Sequence, residues 1–197
     1  TITGGSIGHD IYGGYAAGGK TTGNTVNIGD GSHALSAGTS IAGTIYGGNQ
    51  ADVTGNTLNI NAKGASAGSI AGFAKIKFEL NGSLNSAQPM LRLTNGAATT
   101  GLDWAGVEAV PMPSHVTVKT YEPYQLTLMH NSAGLNFVQG GKDTYAPIGA
   151  KERVQGNLEF VIDTDSHAAQ ARSVYLSGYQ FQNNTGAAYT AADGTHS

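Results

Sequence analysis

The chain has 197 residues and a mass of 20.1 kDa, which is the size of one ordinary domain or of a short piece of an elongated one. Charged residues make up only 12 % of it, about half of the roughly 25 % in an average soluble domain, and the net charge of −3 argues against a nonspecific nucleic-acid binder or a basic membrane-surface protein. Because the chain contains no Cys, a disulfide framework, a zinc–thiolate site and thiol catalysis are excluded.

The part of the chain from position 1 to position 85 contains short segments that recur in a fixed order. Residues 11–14 (Ile-Tyr-Gly-Gly) recur at positions 45–48, and residues 23–28 (Gly-Asn-Thr-Val-Asn-Ile) recur at positions 55–60 with Leu in place of Val. The pair Ser-Ile at positions 6–7 recurs at 40–41, and we align it again with 69–70. Tandem copies whose connections vary slightly in length are typical of a solenoid, in which each coil contacts only its neighbours.

The recurring segments alternate between apolar and polar side chains, which is the pattern of β-strands. Residues 25–28, 57–60 and 75–80 follow it, and no window keeps apolar residues at helical spacing without meeting a glycine. The residues predicted to point inward in the first and last of these segments are Val26, Ile28, Ile76, Phe78 and Leu80. We therefore predict an all-β chain folded as a right-handed parallel β-helix, with a β-sandwich as the second choice.

Glycine and asparagine are the residues that we expect at the corners of such coils. Glycine adopts the positive φ that a sharp corner requires. Asn24 and Asn56 occupy equivalent positions in two copies, so their side-chain amides are expected to stack as a ladder.

A change in composition near residue 86 divides the chain into two predicted parts. Residues 1–85 hold 19 of the 30 glycines and no proline, whereas all five prolines lie in residues 86–197. We interpret 1–85 as glycine-rich β-helix repeats and 86–197 as less regular coils or a β-rich cap. The strands predicted in the second part are residues 90–93, 116–120, 124–129, 135–138, 158–163 and 173–176.

Residues 14–21 match the phosphate-binding pattern G-x-x-x-x-G-K-T letter for letter. A functional loop of this kind is followed by a helix whose N-terminus holds the phosphates. Here a strand pattern with a glycine inside it follows Thr21, so we predict a solvent-facing turn at Lys20 rather than a nucleotide site.

Motifs for metal binding and catalysis are weak. Residues 30–32 and 163–166 have the acidic look of a calcium turn but lack the other ligands of a calcium loop, and we interpret them as Asx turns. The six histidines are scattered, and no Gly-x-Ser-x-Gly elbow occurs. We predict no metal site, no cofactor and no enzymatic activity. The alternative is a carbohydrate-active enzyme, which would need a groove with three or more clustered charged side chains on one sheet.

Three tyrosines are the candidate binding residues. Tyr12 and Tyr46 occupy equivalent repeat positions beside an inward isoleucine, so their rings are expected to face outward. Tyr15 is replaced by Asn49 in the second copy. Such rings either contact a sugar or a partner surface, or pack flat along the outer sheet. The single tryptophan, Trp104, is expected to anchor the core or a cap.

The segments 11–14 and 23–28, repeated at about thirty-residue spacing, resemble the passenger regions of large type V autotransporters. Residues 88–104 are similar to the segment that follows the repeats in those passengers. The resemblance implies a bacterial cell-surface β-helix, anchored in the outer membrane through a region outside this chain. Most members are adhesins or biofilm proteins, fewer are proteases or toxins, and the absence of Cys fits passage through an outer-membrane pore.

The partners that we expect follow from this resemblance. They are a protein or glycan on a host-cell or bacterial surface, or a second copy of the chain. No nucleic acid is expected. Since no apolar run of about 18 residues occurs, we expect no helical membrane span within the chain.

Overall fold

The computed structural model describes residues 1–30, 39–49, 51–83, 88–117, 125–138, 149–155, 158–164, 167–175, 180–182 and 188–190. Within them the chain forms strands and one short 3-10 turn, Trp104–Gly106. The strands are β1 (Ser6–Ile7), β2 (Ile11–Tyr12), β3 (Thr25–Ile28), β4 (Ser40–Tyr46), β5 (Thr57–Ile60), β6 (Ala65–Ala71), β7 (Lys75–Ser83), β8 (Leu91–Leu93), β9 (Thr99–Asp103), β10 (Val107–Thr117), β11 (Gln125–Asn131), β12 (Leu135–Val138), β13 (Gly149–Gln155), β14 (Leu158–Thr164), β15 (Ala168–Tyr175), β16 (Gln180–Gln182) and β17 (Ala188–Thr190).

Two parallel sheets organise the structure, and the chain visits them in turn. Sheet A has the strand order β3-β5-β7-β10, and all its neighbours are parallel. Sheet B begins with β1 and β2, which both pair with β4, and continues in parallel through β6, β8 and β11. A smaller parallel pair joins β9 to β12. The all-β prediction is confirmed, and most of the pairing is parallel.

Alternation of side chains explains why these segments form strands. In β3, β5 and β7 every second residue is buried, and the polar residues between them are more exposed. The five residues predicted to point inward all lie in the core, with at most 6 % of their surface exposed. Aliphatic residues stacked between the sheets thus hold the strands together, since burying each apolar side chain contributes roughly 1.5–3 kcal/mol.

Strand register confirms the first two repeat alignments. Tyr12 is the register partner of Tyr46, and Ser6 is that of Ser40, so the recurring letters of these two copies lie side by side. Residues 25–28 pair with residues 57–60, which confirms the alignment of the second recurring segment.

The alignment of the third copy was wrong. The structure pairs Ser40 with Ser66 rather than with Ser69, and Ser69 lies opposite Thr44. The register shifts between Ile41 and Thr44, where β4 contains one more residue than β6. The matching letters Ser-Ile therefore belong to different positions along the strand.

The strands predicted after residue 86 are largely present. Strand β12 has the predicted bounds, and β8, β11 and β14 differ from theirs by one or two residues at an end. Strand β15 includes residues 173–175. Residues 118–120, 124 and 176, which belong to predicted strands, lie outside the described residues.

Strand β10 begins at Val107, well before the predicted start at residue 116, and contains Pro111 and Pro113. Proline has no backbone N–H and is tolerated in edge strands. Strand β10 is the last strand of sheet A in the described part of the chain, and its register with β7 shifts between Pro111 and Val116.

The two parallel sheets continue beyond the predicted boundary at residue 86. Ser86 itself lies outside the described residues, but β8 extends sheet B from β6, and β10 extends sheet A from β7. The parallel pattern of sheet B ends at β11, which pairs antiparallel with β15. Strands β14 and β13 then follow, also antiparallel.

Trp104 lies in the core, as predicted. It is 5 % exposed, and its ring meets Phe137 of β12 edge to face at a centroid distance of 5.1 Å. Among the described residues no helix is long and apolar enough to cross a lipid bilayer.

Candidate functional site

Tyr12, Tyr15 and Tyr46 lie together, and we call them the tyrosine cluster. The rings of Tyr12 and Tyr46 are stacked in parallel, with centroids 4.9 Å apart and an interplanar angle of 8°. Tyr15 meets Tyr12 edge to face, with centroids 5.9 Å apart. Tyr15 is 74 % exposed and Tyr12 is 43 % exposed, whereas Tyr46 is partly covered. The structure therefore brings all three predicted residues to one surface.

The backbone beside the cluster explains this close stacking. Each stacked tyrosine is followed by a glycine, and Gly13 N donates to the carbonyl of Tyr46 at 2.8 Å. A Cβ at Gly13 would lie 2.6 Å from the carbonyl oxygen of Gly47, which is too close for any side chain. Glycine thus allows the two strand ends to approach at the point where the rings stack.

The loop that carries Tyr15 is fixed by the residue that replaces this tyrosine in the second copy. Asn49 accepts a hydrogen bond from Ala16 N and donates one to Ala16 O, both at 2.9 Å. The side-chain amide therefore pairs with the backbone like a neighbouring strand. This arrangement holds Tyr15 against Tyr12 although Tyr15 has no tyrosine partner of its own.

The charge next to the cluster comes from Asp10. Its carboxylate accepts a hydrogen bond from Thr44 N at 2.7 Å and so joins the two copies. Partial desolvation raises the pKa of Tyr12, and the negative charge of Asp10 raises it further. The Tyr12 hydroxyl therefore stays protonated at neutral pH and can both donate and accept hydrogen bonds.

The phosphate-loop lookalike is a solvent-facing turn, as predicted. The Lys20 side chain is 80 % exposed, and its Nζ lies 3.1 Å from Asp52 Oδ2. After Thr21 the chain enters strand β3 rather than a helix. Hydrogen bonds from Thr54, together with Lys20, lower the pKa of Asp52 to about 2. Lys20 thus forms an ion pair on the surface.

Hydrogen bonds between asparagine side chains link successive copies, as predicted for the corner asparagines. Asn24 Nδ2 donates to Asn56 Oδ1 at 3.1 Å. A second pair, on the outer face of sheet A, was not foreseen: Asn59 Nδ2 donates to Asn27 Oδ1 at 2.9 Å.

The outer face of sheet A also carries a groove that sequence reasoning missed. We call it the polar groove, and its volume is about 250 Å³. Asn61 Nδ2 donates to Glu79 Oε2 at 2.8 Å, and Lys77 Nζ contacts Glu79 Oε1 at 2.9 Å. The residues that line the groove are Thr1, Asn27, Gly29, Asp30, Asn59, Asn61 and Glu79.

Charged side chains are clustered on this face of sheet A, but they are paired. Lys75 lies 3.2 Å from Glu108, and Lys77 is paired with Glu79. The alternation of β7 indicated that Lys75, Lys77 and Glu79 point outward. However, Lys77 pairs with Asn59 across a shorter sequence separation than the recurring segments show, and no recurring segment marks this pairing.

Within the described ranges, no three His, Asp or Glu residues come close enough together to hold a metal ion. Of the two calcium-like stretches, residues 31–32 and 165–166 lie outside those ranges. Comparison with known proteins assigns no family, because no family model, no curated protein and no solved structure matches the chain. Function is therefore inferred from the side chains that the two sheets present.

Proposed function

We propose that the chain forms coils of a right-handed parallel β-helix. The support is that equivalent strands of successive copies pair in parallel, and that the chain alternates between the two sheets. Gly23 and Gly55, at equivalent corners, both have a φ of 71°. The β-sandwich is less favoured because its sheets are antiparallel. The right-handed sense follows from the strong preference of parallel crossovers for that hand.

On this scaffold, we propose a non-catalytic adhesin or structural stalk. The chain would belong to the passenger of a type V autotransporter at a bacterial surface, and it would be held there through a region outside this chain. The observation that carries the adhesive role is the tyrosine cluster, which presents two exposed rings. Its partners would be a protein or glycan on a host or bacterial surface, or a second copy of the chain.

Tyrosine rings suit a contact surface because they offer a large area and are partly ordered before a partner binds. Each ring offers a large apolar surface with a polar tip, and few rotatable bonds are lost when it binds. Because Tyr12 already stacks on Tyr46, part of that order exists before a partner arrives. A single cluster gives weak binding, and display of many copies on a cell supplies avidity.

The test uses beads that carry many copies of the protein. Replacing Tyr12 and Tyr46 together by Ala is expected to reduce attachment to epithelial or bacterial cells more than either single change. The matched control is Val53→Ala, which removes a 37 % exposed apolar side chain elsewhere and is expected to leave attachment unchanged. Attachment that is unchanged in a folded double variant would contradict the adhesin proposal.

A carbohydrate-active enzyme remains the second candidate, and a specific observation favours it. Asp30 and Glu79 line one groove, and two carboxylates are what glycoside hydrolysis usually requires. Against it, Glu79 is engaged by both Lys77 and Asn61. Release of reducing ends from a polysaccharide, abolished by Glu79→Gln, would favour the enzyme over the adhesin.

A further inference from the structure

We infer that the polar groove on sheet A binds a short segment of a neutral, hydroxyl-rich saccharide. This site is separate from the tyrosine cluster: the tyrosines extend from sheet B and the following loop, whereas the groove lies on the outer face of sheet A. The inference therefore does not depend on the adhesive role of the tyrosines.

The chemistry of the lining matches the hydroxyl groups of a sugar. Asn27, Asn59 and Asn61 carry amide groups, whose nitrogens donate and whose oxygens accept hydrogen bonds, although the Asn59 oxygen is itself enclosed. The carboxylates of Asp30 and Glu79 accept hydrogen bonds from neighbouring hydroxyls more strongly than neutral acceptors do. A sugar, whose hydroxyls both donate and accept, can use both kinds of group.

The lining is ordered by its own contacts before a ligand arrives. The register of sheet A places Asn27 beside Asn59, and Asn61 directly follows Ile60, the register partner of Phe78. The hydrogen bond between the first two residues, at 2.9 Å, and that between Asn61 and Glu79, at 2.8 Å, hold these side chains in position. Binding therefore costs little side-chain entropy, which favours recognition of a small flexible ligand.

Glycine at position 29 allows two backbone segments beside the groove to approach each other closely. Gly29 has a φ of 84°, and a Cβ there would collide with the carbonyl oxygen of Asn61. Gly29 therefore contributes only backbone to this part of the groove, whereas Asn61 and Glu79 contribute side chains.

The charges select a neutral ligand over an anionic one. Asp30 and Glu79 would repel a carboxylate, sulfate or phosphate group. Lys77, the neighbouring cation, is already paired with Glu79 at 2.9 Å. A neutral saccharide avoids this repulsion and uses the same hydrogen-bonding groups.

The experiment measures binding of defined oligosaccharides to the full chain by NMR chemical-shift changes and calorimetry. The neutral probes are maltohexaose, cellohexaose and mannohexaose, the anionic probe is hexagalacturonate, and calcium chloride alone is a separate arm. We expect at least one neutral probe to bind and to shift the signals of Asn27, Asn59 and Asn61, and hexagalacturonate to bind more weakly or not at all.

Variants locate the site. Asn61→Ala is expected to weaken binding of the neutral probe about tenfold, because a hydrogen-bonding group is lost and Glu79 loses a partner. Asp30→Asn is a second variant that keeps the side-chain shape if Asn61→Ala fails to fold. Thr25→Ala, on the same sheet but outside the lining, is the matched control and should bind like the parent protein. Tyr12→Ala should also leave this binding unchanged.

Four outcomes would overturn the inference. They are no binding of any neutral probe, equal binding of hexagalacturonate, binding unaffected by both groove variants, and occupation of the groove by calcium without any saccharide binding. Hydrolysis of a bound neutral probe would support the saccharide site and overturn the non-catalytic proposal. Loss of cell attachment in the tyrosine variants, with saccharide binding intact, would support both proposals independently.

Discussion

Asn56 connects three successive copies through one fully buried side chain. Its Oδ1 accepts hydrogen bonds from the backbone N and the side-chain Nδ2 of Asn24, at 3.0 and 3.1 Å. Its Nδ2 donates to Thr21 O at 2.9 Å and to Gly72 O at 3.2 Å. Since a buried amide that loses its hydrogen bonds lowers stability, these bonds favour a fixed spacing of the strands around Asn56.

Replacing Asn56 by Ala is expected to lower the free energy of unfolding by about 3 kcal/mol or more, because several buried backbone groups lose their partner at once. Urea unfolding followed by circular dichroism measures the change. The matched control is Asn24→Ala, which removes one side-chain hydrogen bond of the same ladder and should cost about 1 kcal/mol. Equal losses in the two variants would contradict the assignment of Asn56 as the central link.

At the scale of the element, sheet A contains an incomplete amide ladder. Asn59 donates to Asn27, but Asn59 Oδ1 is buried and accepts no hydrogen bond within the described part of the chain. The register partner of Asn59 on the next strand is Lys77, whose Nζ is bound to Glu79 instead. An enclosed acceptor without a donor costs roughly 1–3 kcal/mol.

Replacing Lys77 by Asn is therefore expected to raise the melting temperature by about 2–4 °C, since an amide at this position can donate to Asn59 Oδ1. The ion pair that is lost is partly exposed and is expected to contribute about 1 kcal/mol. Differential scanning calorimetry of Lys77→Asn and Lys77→Ala provides the comparison, because both remove the ion pair and only one supplies a donor. A melting temperature of Lys77→Asn no higher than that of Lys77→Ala would show the ladder interpretation to be mistaken.

The same sheets show which features a single sequence can predict. Alternation identified the inward residues of β3 and β7, because burial on one face requires a period of two. Identical residues at equivalent repeat positions correctly predicted that Tyr12 lies beside Tyr46. The same reasoning wrongly aligned Ser69 with Ser40, because the extra residue in β4 changes the register without changing the local motif.

The parts that escaped prediction depend on contacts between distant segments. Strand β9 was not predicted because Thr99–Asp103 contains a glycine and lacks an alternation of apolar and polar residues. Its position is set by pairing with β12. The tyrosine cluster could be predicted because both stacked rings occupy one repeat position. The polar groove could not, since Asn59 and Glu79 belong to copies of different length.

At the scale of the whole molecule, neighbouring strands pair in succession, and the direction of pairing changes at one end. Strand β15 covers the edge of β11 in antiparallel fashion, and Ala169 at this junction is fully buried. An open strand edge invites pairing with another chain. Strands β13 to β15 therefore protect the last parallel strand of sheet B.

Replacing Ala169 by Pro is expected to disrupt β15 and its two neighbours while leaving the first copies folded, because stability in such stacks is set by adjacent elements. Hydrogen exchange measured by mass spectrometry should show faster exchange in residues 125–131, 158–164 and 168–175 and unchanged protection in residues 25–28 and 57–60. The control is Ala169→Ser, which keeps the backbone N–H. Uniform loss of protection along the chain would indicate a single cooperative unit instead.

Strand pairing between copies also determines how the molecule would yield under mechanical tension. A force that separates successive strands pulls directly along the hydrogen bonds of the sheets. Once β3 and β4 have also separated from their partner strands, the chain that connects Tyr12 to Tyr46 extends to at most about 110 Å. The connection between Leu58 and Ile76 is shorter and, once β6 has separated from its partner strands, extends to at most about 60 Å. Copies of unequal length would therefore lengthen the molecule in unequal steps and, if the chain tethers cells as we propose, would release a cell gradually rather than all at once.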